Sequence, residues 1–327
     1  MGLRDRGKRS TASITNAMKA LEKRFSEPVV QKMGDVNTQI ETFSSGRPSL
    51  DSALGGGWAV GKIHEIYAES GCGKTGLALE AIASVQSLGG KVAIIDAEHA
   101  LNNKYCEEVG VDINDLYISQ PSNGEQAFTA MEQLISSNQI DLIVVDSVSA
   151  LTPQSLLDGE IGEAKMAVQA RMMSKGIRRI TASANECGCT VIFINQLRKT
   201  MEAYGPSEVT TGGKALKYAA TQRIAVKSKG QIKEGDEIIG FKQHIKVVKN
   251  KVGTPFKEIV NDIIFGIGVD KLNSLVEAAL FEEILVRKGA WYQYKGTNIA
   301  QGMKKLRVVL EDNVDIVEAI EEELKSK

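Results

Sequence analysis

A glycine-rich turn between a predicted strand and a predicted helix places the strongest constraint on the fold. The apolar segment 62–68 (KIHEIYA) leads through ESGCG into a segment of helical periodicity. Free backbone N–H groups at the start of a helix, together with the helix dipole, favour a bound phosphate. Gly73, Lys74 and Thr75 match the second half of the pattern G-x-x-x-x-G-K-[ST]. The segment therefore predicts a strand–loop–helix unit that binds nucleotide phosphates.

Ala68 departs from this pattern, because it stands where the first glycine belongs. An alanine held in the left-handed conformation costs roughly 1–2 kcal/mol, and the cost vanishes where φ is negative. We expect the replacement to affect the rate of hydrolysis more than nucleotide binding. The alternative is a chance motif that binds no nucleotide.

The order of elements predicts the architecture. From residue 62 to about residue 220, apolar segments rich in β-branched residues alternate with helical segments, which predicts a mostly parallel sheet with helices on both faces. Beyond residue 220, QRIAVKSK, FKQHIKVVKN and KEIVNDIIF read as antiparallel strands that extend this sheet. From about residue 269 the chain is helical, passes through the aromatic hairpin-like segment GAWYQYKG and ends in an acidic helix.

We therefore predict an α/β protein in three parts. A short amphipathic helix over 12–25 precedes the main body, since apolar residues recur there at helical spacing. The predicted parts are an N-terminal helix and linker (1–34), an α/β core that contains the phosphate loop (35–268) and a small α+β C-terminal domain (269–327).

Composition excludes several classes of protein. Of the 327 residues, 43% are hydrophobic and 25% charged, as in a soluble protein with a substantial core. No apolar run is long enough to span a bilayer, and the basic start is not followed by a signal-peptide core, so we expect a cytoplasmic protein. The four cysteines show no C-x-x-C pairing and the three histidines are isolated, which argues against a zinc site and a disulfide framework.

Charge is unevenly distributed although the formal net charge is only -1. Residues 198–257 are rich in Lys and Arg, whereas residues 311–323 carry acids and no base. A basic middle and an acidic end indicate a polyanion-binding surface on one part of the chain. A solvated charged face is the simpler alternative.

Acidic residues follow two of the predicted strands. Asp146 ends the apolar strand DLIVVD, which is the Walker-B pattern for holding Mg²⁺ beside a phosphate loop. Asp96 and Glu98 follow the strand KVAIID, and residues two apart on a strand share a face. Ligands of open α/β sheets bind at the carboxyl ends of the strands. Glu98 is therefore expected to polarise a water for attack on the γ-phosphate, and a helix-capping Asp with a surface Glu is the alternative.

Two irregular segments are expected to leave the sheet near the nucleotide. Gln196 closes the strand VIFINQ, where its amide could sense the γ-phosphate by a hydrogen bond. The segments 152–166 and 197–213 are long and lack periodicity. Loops of this length in a compact domain are usually functional or mobile. This placement predicts a ligand whose binding is coupled to the γ-phosphate.

Long matching stretches give the chain a close resemblance to the bacterial RecA recombinase family over nearly its whole length. They include IIDAEHAL, VDSVSALTP, GEIGEAKMAVQARMMS, FINQLR, TTGGKALKYAA, KVVKNKVGTPFK and GAWYQYKG. The resemblance implies a DNA-dependent ATPase that forms a helical filament on single-stranded DNA, pairs it with homologous duplex and exchanges strands. It also implies ATP and Mg²⁺ as cofactors, a role in repair and the SOS response, and a LexA-like repressor as a partner.

For the ATP site, the resemblance implies specific roles. Glu98 resembles the catalytic base, Gln196 the sensor of the γ-phosphate, and Tyr105 the residue that stacks on adenine. Lys249 and Lys251 match lysines that reach the ATP of the neighbouring subunit, as an arginine finger does. The residues implied around the phosphates and Mg²⁺ are Glu69, Ser70, Gly71, Cys72, Gly73, Lys74, Thr75 and Asp146.

For DNA, the resemblance implies two loops and neighbouring basic residues, with Met166 as an inserted apolar wedge. The N-terminal helix resembles the element that docks onto the next subunit. The residues implied in DNA contact are Gly159, Glu160, Ile161, Gly162, Met166, Arg171, Arg178, Arg198, Tyr204, Gly212 and Gly213.

Departures from the family pattern suggest a divergent copy, carried for example by a phage. Besides Ala68, Asn102 stands where the family has Asp before the adenine-stacking tyrosine. Two alternatives to an ATP-driven recombinase stay open at this point. One is a filament-forming scaffold or co-protease with little ATP turnover. The other is a ring-forming motor such as a helicase, against which the N-terminal helix and the paired loops argue.

Overall fold

The computed structural model describes residues 11–35, 40–159, 165–199 and 208–326. The chain forms two compact units, Met1–Ile40 and Glu41–Lys327. In the first unit, α1 (Thr11–Phe25) forms as the apolar spacing predicts. Its Ile14 is 63% exposed and its Phe25 51% exposed, so apolar side chains of this helix are open to solvent.

The second unit contains the sheets and the remaining helices. Its strands are β1 (Thr42–Phe43), β2 (Trp58–Ala59), β3 (Ile63–Ala68), β4 (Val92–Asp96), β5 (Leu116–Ser119), β6 (Leu142–Asp146), β7 (Thr190–Lys199), β8 (Glu208–Thr210), β9 (Gln222–Glu234), β10 (Glu237–Asn250), β11 (Glu258–Ile264), β12 (Gly268–Val269), β13 (Leu285–Lys288), β14 (Trp291–Tyr294) and β15 (Thr297–Gln301). Its helices are α2 (Pro48–Leu54), α3 (Lys74–Ser87), α4 (Asn103–Val109), α5 (Gly124–Ser136), α6 (Gln154–Leu157), α7 (Lys165–Glu186), α8 (Ala215–Ala219), α9 (Lys271–Phe281), α10 (Met303–Asp312) and α11 (Val314–Lys325). Within the described ranges, none of the helices is both long and apolar enough to span a membrane.

The large sheet confirms the predicted architecture. Its strands lie in the order β12-β11-β10-β9-β3-β7-β6-β4-β5. The strands from β9 to β5 in this order are parallel, and β10, β11 and β12 add to β9 as antiparallel strands. The carboxyl ends of β3, β4, β6 and β7 therefore meet at one edge.

Both faces of the central parallel strands β3, β4 and β6 are buried, which explains why these strands read as continuous apolar runs. Successive residues of β4 alternate between the faces, because side chains alternate along a strand. Ile94 packs in the cluster that includes Leu77 of α3, and Ile95 packs in the cluster that includes Phe128 of α5 and Met173 of α7. Helices thus cover both faces, as the alternation of elements predicts.

The segment 197–213 is less irregular than expected. β7 continues through Leu197 and Arg198 to Lys199, and it pairs there with β8 in antiparallel register. The β-branched run Val209–Thr210 favours this short strand. Our expectation that the strand closes at Gln196 is therefore wrong, because a two-stranded ribbon extends beyond the edge of the large sheet. Residues 200–207 lie outside the described residues.

The C-terminal part is a small α+β unit, as predicted. Asp270 caps α9 by accepting a hydrogen bond from the backbone N–H of Asn273, at 3.1 Å. The aromatic segment forms β14, which is the central strand of the antiparallel sheet β13-β14-β15 rather than one arm of an isolated hairpin. Tyr292 of β14 and Leu306 of α10 pack in one buried cluster. The domain boundary at residue 268 stays a prediction.

Candidate nucleotide and DNA site

The turn between β3 and α3 is shaped as a phosphate loop. Gly71 and Gly73 have φ of 74° and 77°, in the left-handed region that favours glycine. A Cβ on Gly73 would also lie 2.6 Å from Nε2 of Gln243, so glycine is needed there for space as well as for conformation. Because α3 begins at Lys74, its first backbone N–H groups face the loop. The loop therefore presents free donors where a phosphate can bind.

Ala68 occupies the last position of β3 and carries no left-handed strain. It pairs with Gln196 of β7 and Val226 of β9, and its φ is not positive. The side chain is fully buried in the apolar cluster on the α3 face. Because the strand conformation suits alanine, the cost that we attached to this replacement does not arise.

Ala68→Gly should leave nucleotide affinity and ATP turnover within about twofold of the unchanged protein, since no strain is relieved. The glycine should instead lower stability by about 0.5–1 kcal/mol, because it adds chain entropy to the unfolded state. Nucleotide titration, steady-state hydrolysis and thermal unfolding measure these three quantities. A tenfold gain in turnover would instead show that the alanine slows the natural loop.

The Lys74 ammonium lies against the backbone of the phosphate loop. Its Nζ donates a hydrogen bond to the backbone carbonyl of Glu69, at 2.8 Å. Burial lowers the pKa of Lys74, and the nearby charges of Asp146 and Glu98 oppose this shift. A partly desolvated ammonium attracts an anion more strongly than one in bulk water does. Lys74 is therefore placed to neutralise a phosphate held by the loop.

Thr75 and Asp146 meet where a divalent cation would fit. The Thr75 hydroxyl donates a 2.7 Å hydrogen bond to Oδ2 of Asp146. Burial, and to a lesser degree the charges of Glu98 and Asp96, raise the pKa of Asp146 to about 6, while the bond from Thr75 opposes the rise. The described residues hold no group of three or more His, Cys, Asp and Glu that could bind a metal. Thr75 and Asp146 are the residues that would hold a Mg²⁺ here, Thr75 through its hydroxyl and Asp146 through water, with phosphate and water oxygens completing the shell.

Glu98 lies next to Asp146 because of backbone pairing between strand ends. The N–H groups of Ala97 and Glu98 donate to the carbonyl of Asp146, at 2.8 and 3.3 Å. The Glu98 carboxylate accepts hydrogen bonds from the Ser147 hydroxyl and from Nε2 of Gln196, the latter at 3.1 Å. The ends of β4, β6 and β7 thus bring an acid, a hydroxyl and an amide together.

The strand argument for Glu98 does not apply as stated. β4 ends at Asp96, so Glu98 lies beyond the strand and the alternation of β4 does not determine its direction. The buried Asp96 carboxylate accepts hydrogen bonds from Gln120 Nε2 and the backbone N–H of Ala100, at 3.0 and 3.3 Å. Asp96 therefore shapes the turn that carries Glu98.

Tyr105 of α4 lies against the start of α3. A Cβ on Gly76 would lie 2.4 Å from the Tyr105 hydroxyl, so the two helices approach closely there. Burial raises the pKa of Tyr105, and the charge of Glu80 adds to the rise. Asn102 caps α4 by accepting a hydrogen bond from the backbone N–H of Tyr105, at 3.2 Å. Asn102 thereby performs the capping that Asp would also perform at this position.

Lys249 and Lys251 are not brought to the phosphate loop within one chain. Lys249 lies on β10 opposite Arg223 of β9, and Arg223 lies beside Glu65 near the start of β3. The loop follows the other end of β3. The Lys249 ammonium donates to two backbone carbonyls of α8, both at 3.0 Å. Burial, with Lys251 and Arg223 nearby, lowers the pKa of Lys249 to about 8.

A basic surface runs along α7. Arg171, Lys175 and Arg178 are exposed at spacings of four and three residues, so they lie on one face of the helix. Arg171, Lys175, Arg178 and Arg179 line one open depression together with Ser174. Arg179 is bound by Glu132 of α5, which leaves the other three charges to attract an anion. The two arginines expected to contact DNA thus belong to a wider cationic face.

Gly212 and Gly213 form a close turn against α7. Both have positive φ, of 82° and 79°. A Cβ on Gly212 would lie 2.9 Å from Val148, and one on Gly213 would lie 2.8 Å from the Ala170 side chain. The glycines therefore tie the end of the β7–β8 ribbon to the helix that carries the basic face.

Three of the remaining residues expected in DNA contact lie in the described part of the chain. Arg198 is exposed on β7, Gly159 is exposed shortly after α6, and Met166 lies in the first turn of α7. Glu160, Ile161, Gly162 and Tyr204 lie outside the described residues.

Several residues around the site were missed by the sequence reasoning. Ser147 binds Glu98, and Asn195 donates from Nδ2 to Glu65 and to the carbonyl of Thr211, at 2.9 and 3.0 Å. Both are polar residues at strand ends beside Asp146 and Gln196, so their positions could have indicated a role.

Comparisons with known proteins agree over nearly the whole chain. The RecA N-terminal domain family matches residues 12–270, and the RecA C-terminal domain family matches residues 273–327. Protein RecA of Acinetobacter baumannii (strain AYE) is 46% identical over 318 residues, which cover 96% of this chain and 91% of that protein. Protein RecA of Fusobacterium nucleatum subsp. nucleatum is 44% identical over 96% of this chain and 84% of its own length. Protein RecA of Trichodesmium erythraeum is 42% identical over 97% of this chain and 89% of its own.

The family match, the mostly parallel sheet and the small α+β unit at the C-terminal end agree with one another. The chain therefore belongs to the RecA family of DNA-dependent ATPases, which carry out homologous recombination.

Proposed function

We propose that the edge formed by β3, β4, β6 and β7 binds Mg·ATP and hydrolyses it. The observation that carries this proposal is the meeting of Lys74, Thr75, Asp146, Glu98 and Gln196 at that edge. The loop from Glu69 to Gly73 would hold the phosphates with backbone N–H groups, and Lys74 would neutralise them. Thr75 and Asp146 would hold Mg²⁺, and Tyr105 would stack on the base. Bound Mg²⁺ would supply charge neutralisation for the transferred phosphoryl group.

Glu98 is the base in this proposal. Its carboxylate is exposed at the edge and oriented by Ser147, so it can accept a proton from an attacking water. Gln196 now donates to Glu98 from Nε2. The same amide can turn towards a γ-phosphate oxygen, which would release Glu98 for the water. Gln196 would thereby couple the presence of the γ-phosphate to the state of the base.

The ribbon formed by β7 and β8 would pass this change to DNA. Gln196 and Arg198 lie on the same strand, two residues apart, and Asn195 binds the carbonyl of Thr211 at 3.0 Å. Gly212 and Gly213 then join the ribbon to α7. A rearrangement at Gln196 would therefore move the second loop relative to the basic face.

We propose that DNA binds along this basic face and between the two loops, without sequence preference. Arg171, Lys175 and Arg178 provide contacts for phosphates, which carry no sequence information. Affinity should accordingly fall steeply with salt concentration, because bound counterions are released from the DNA.

The protomers would assemble head to tail into a helical filament on single-stranded DNA. Lys249 lies on β10 at the end of the sheet away from its own phosphate loop, so Lys249 and Lys251 would serve the loop of a second protomer, and Lys249 would first exchange its two carbonyl partners on α8 for that site. The exposed apolar residues of α1 suit burial against a neighbour. A heterologous contact of this kind generates open filaments rather than closed pairs.

The filament would pair the bound strand with homologous duplex, exchange strands in DNA repair and act in the cytoplasm. A LexA-like repressor is a proposed partner in an SOS-type response. ATP hydrolysis measured with and without single-stranded DNA separates this function from a scaffold or co-protease with little turnover. Electron micrographs on single-stranded DNA separate helical filaments from the rings of a motor.

Mixing two inactive variants tests the shared site. The Glu98→Gln variant lacks the proposed base but keeps Lys249 and Lys251. The double variant Lys249→Ala/Lys251→Ala keeps the base but lacks both lysines. In a randomly mixed filament, about a quarter of the interfaces combine a protomer that has Glu98 with a neighbour that has both lysines. Turnover should therefore recover to about a quarter of that of the unchanged protein. The measurement is DNA-stimulated ATP turnover at equal concentrations of the two variants. Turnover that stays at the sum of the separate variants would refute a site shared between protomers.

A further inference from the structure

A buried polar network lies against the backbone of the phosphate loop. Arg47, just before α2, is 1% exposed, and Gln243 of β10 is fully buried. Arg47 donates to both carboxylate oxygens of Glu80 on α3, with Nη2 to Oε1 at 2.9 Å. Its Nη1 donates to Oε1 of Gln243. Three segments far apart in the chain thus converge beneath the loop.

Gln243 reaches the loop backbone directly. Its Nε2 donates to the carbonyls of Cys72 and Gly73, at 2.6 and 3.2 Å. In a trans peptide the C=O and the following N–H point in opposite directions, because the unit is planar. Drawing these two carbonyls towards Gln243 therefore turns the N–H groups of Gly73 and Lys74 the other way. Those are donors that a phosphate at the start of α3 needs.

Arg47 determines which end of the Gln243 amide faces the loop. A guanidinium has donors only, so it accepts no bond from the amide nitrogen and must face the amide oxygen. With Oε1 held by Arg47, Nε2 points at the loop. Glu80 neutralises Arg47, so the buried charge is paired. The network leaves no room for Gln243 to rotate without losing several hydrogen bonds at once.

We propose that Gln243 and Arg47 are positioning residues for nucleotide binding. Gln243 sets the direction of the loop N–H groups, and Arg47 acts through Gln243. The inference rests on the proposed function, because it assumes that the loop binds the phosphates of ATP. Both residues are buried behind the loop backbone, so the expected effect is on the affinity of the folded protein rather than on a chemical step.

Gln243→Met tests the first part, since methionine keeps the length and burial but removes the amide. The probe is Mg·ADP, titrated against DNA-free protein by calorimetry, with the folded fraction checked by circular dichroism. We expect about tenfold weaker binding, because two hydrogen bonds that orient the loop are lost. The chemical step of hydrolysis should change less than the affinity. KM for ATP should therefore rise by a larger factor than the factor by which kcat falls.

Gln222→Met is the matched control. Gln222 is also fully buried, and its amide also bridges backbone groups, with Oε1 accepting from the N–H of Ala59 and Nε2 donating to the carbonyl of Gly57, both at 3.0 Å. It lies beside His64, at the end of β3 away from the loop. A merely structural role predicts equal losses of stability in both variants and unchanged Mg·ADP affinity in both. That result would overturn the proposal.

Arg47→Lys tests the second part. Lysine keeps the charge opposite Glu80 but loses the donor that holds Oε1 of Gln243. We expect about threefold weaker Mg·ADP binding in the unchanged background and no further loss in the Gln243→Met background, because coupled residues are non-additive. Equal effects in both backgrounds would refute action through Gln243. If Lys74→Ala also leaves Mg·ADP affinity unchanged, the proposed function fails; if only Gln243→Met does, the inference alone fails.

Discussion

Lys74→Ala should bind Mg·ATP about 10- to 100-fold more weakly and should lose DNA-stimulated ATP turnover and strand exchange. A hydrogen bond to a charged group contributes about 1.5–3 kcal/mol, which corresponds to that range of affinity. The ammonium at present has the Glu69 carbonyl as a partner and sits in a partly desolvated position that lowers its pKa. Its removal should therefore cost the folded protein little stability while it removes the main countercharge for the phosphates.

The loss can be separated from misfolding by thermal unfolding with and without Mg·ATP. A ligand that binds only the folded state raises Tm, so the unchanged protein should show a nucleotide-dependent shift that Lys74→Ala lacks. Lys62→Ala is the matched control, because Lys62 precedes the other end of β3 and binds Asn185 rather than the loop. Intact turnover and strand exchange in Lys74→Ala would contradict the assignment of the loop.

Local sequence was sufficient to predict which of these residues meet at the edge of the sheet, while their roles stay a prediction. Lys74, Thr75 and Asp146 each follow an apolar strand within a few residues, and parallel strands bring their carboxyl ends together. The motif spacing thus carries three-dimensional information. Gln196 was found for the same reason, since it pairs with Ala68 at the start of the loop.

Contacts between distant segments could not be predicted in this way. Arg47 and Gln243 are 196 residues apart, and neither stands in a motif. Their meeting depends on β10 folding back against β9 in antiparallel register, which brings Gln243 behind the loop. At Ala68, by contrast, local sequence was sufficient. The segment 62–68 was predicted as a strand that ends there, and φ of Ala68 is not positive, so the cost of a left-handed alanine does not arise.

The position of Glu98 shows that strand alternation predicts side-chain direction only within the strand. Strand alternation predicted that the side chains of Asp96 and Glu98 share one face. β4 ends at Asp96, however, and the turn that follows is held by hydrogen bonds such as that from the Ala100 N–H to Asp96. Glu98 is nevertheless at the edge, because Asp146 accepts hydrogen bonds from the backbone there. The expected role therefore survives as a proposal, although the argument for it was wrong.

Glu98→Gln should reduce ATP turnover by about 10²- to 10⁴-fold while nucleotide binding and DNA binding persist. The range is that of a positioned general base, which the amide cannot replace. Glutamine keeps the shape of the side chain and an oxygen that can accept from Ser147 and Gln196, so the surrounding contacts remain possible. A slowly hydrolysed nucleotide should hold the filament in its DNA-bound form for longer.

Two measurements on Glu98→Gln distinguish a lost base from a damaged site. Steady-state hydrolysis with single-stranded DNA gives the loss in kcat, and nucleotide titration should give an affinity within a few-fold of the unchanged protein. Glu107→Gln, an exposed acid on α4, controls for the loss of one negative charge near the site. A parallel fall in affinity and turnover would mean that Glu98 shapes the site rather than accepting the proton. Normal turnover would remove Glu98 from the chemistry.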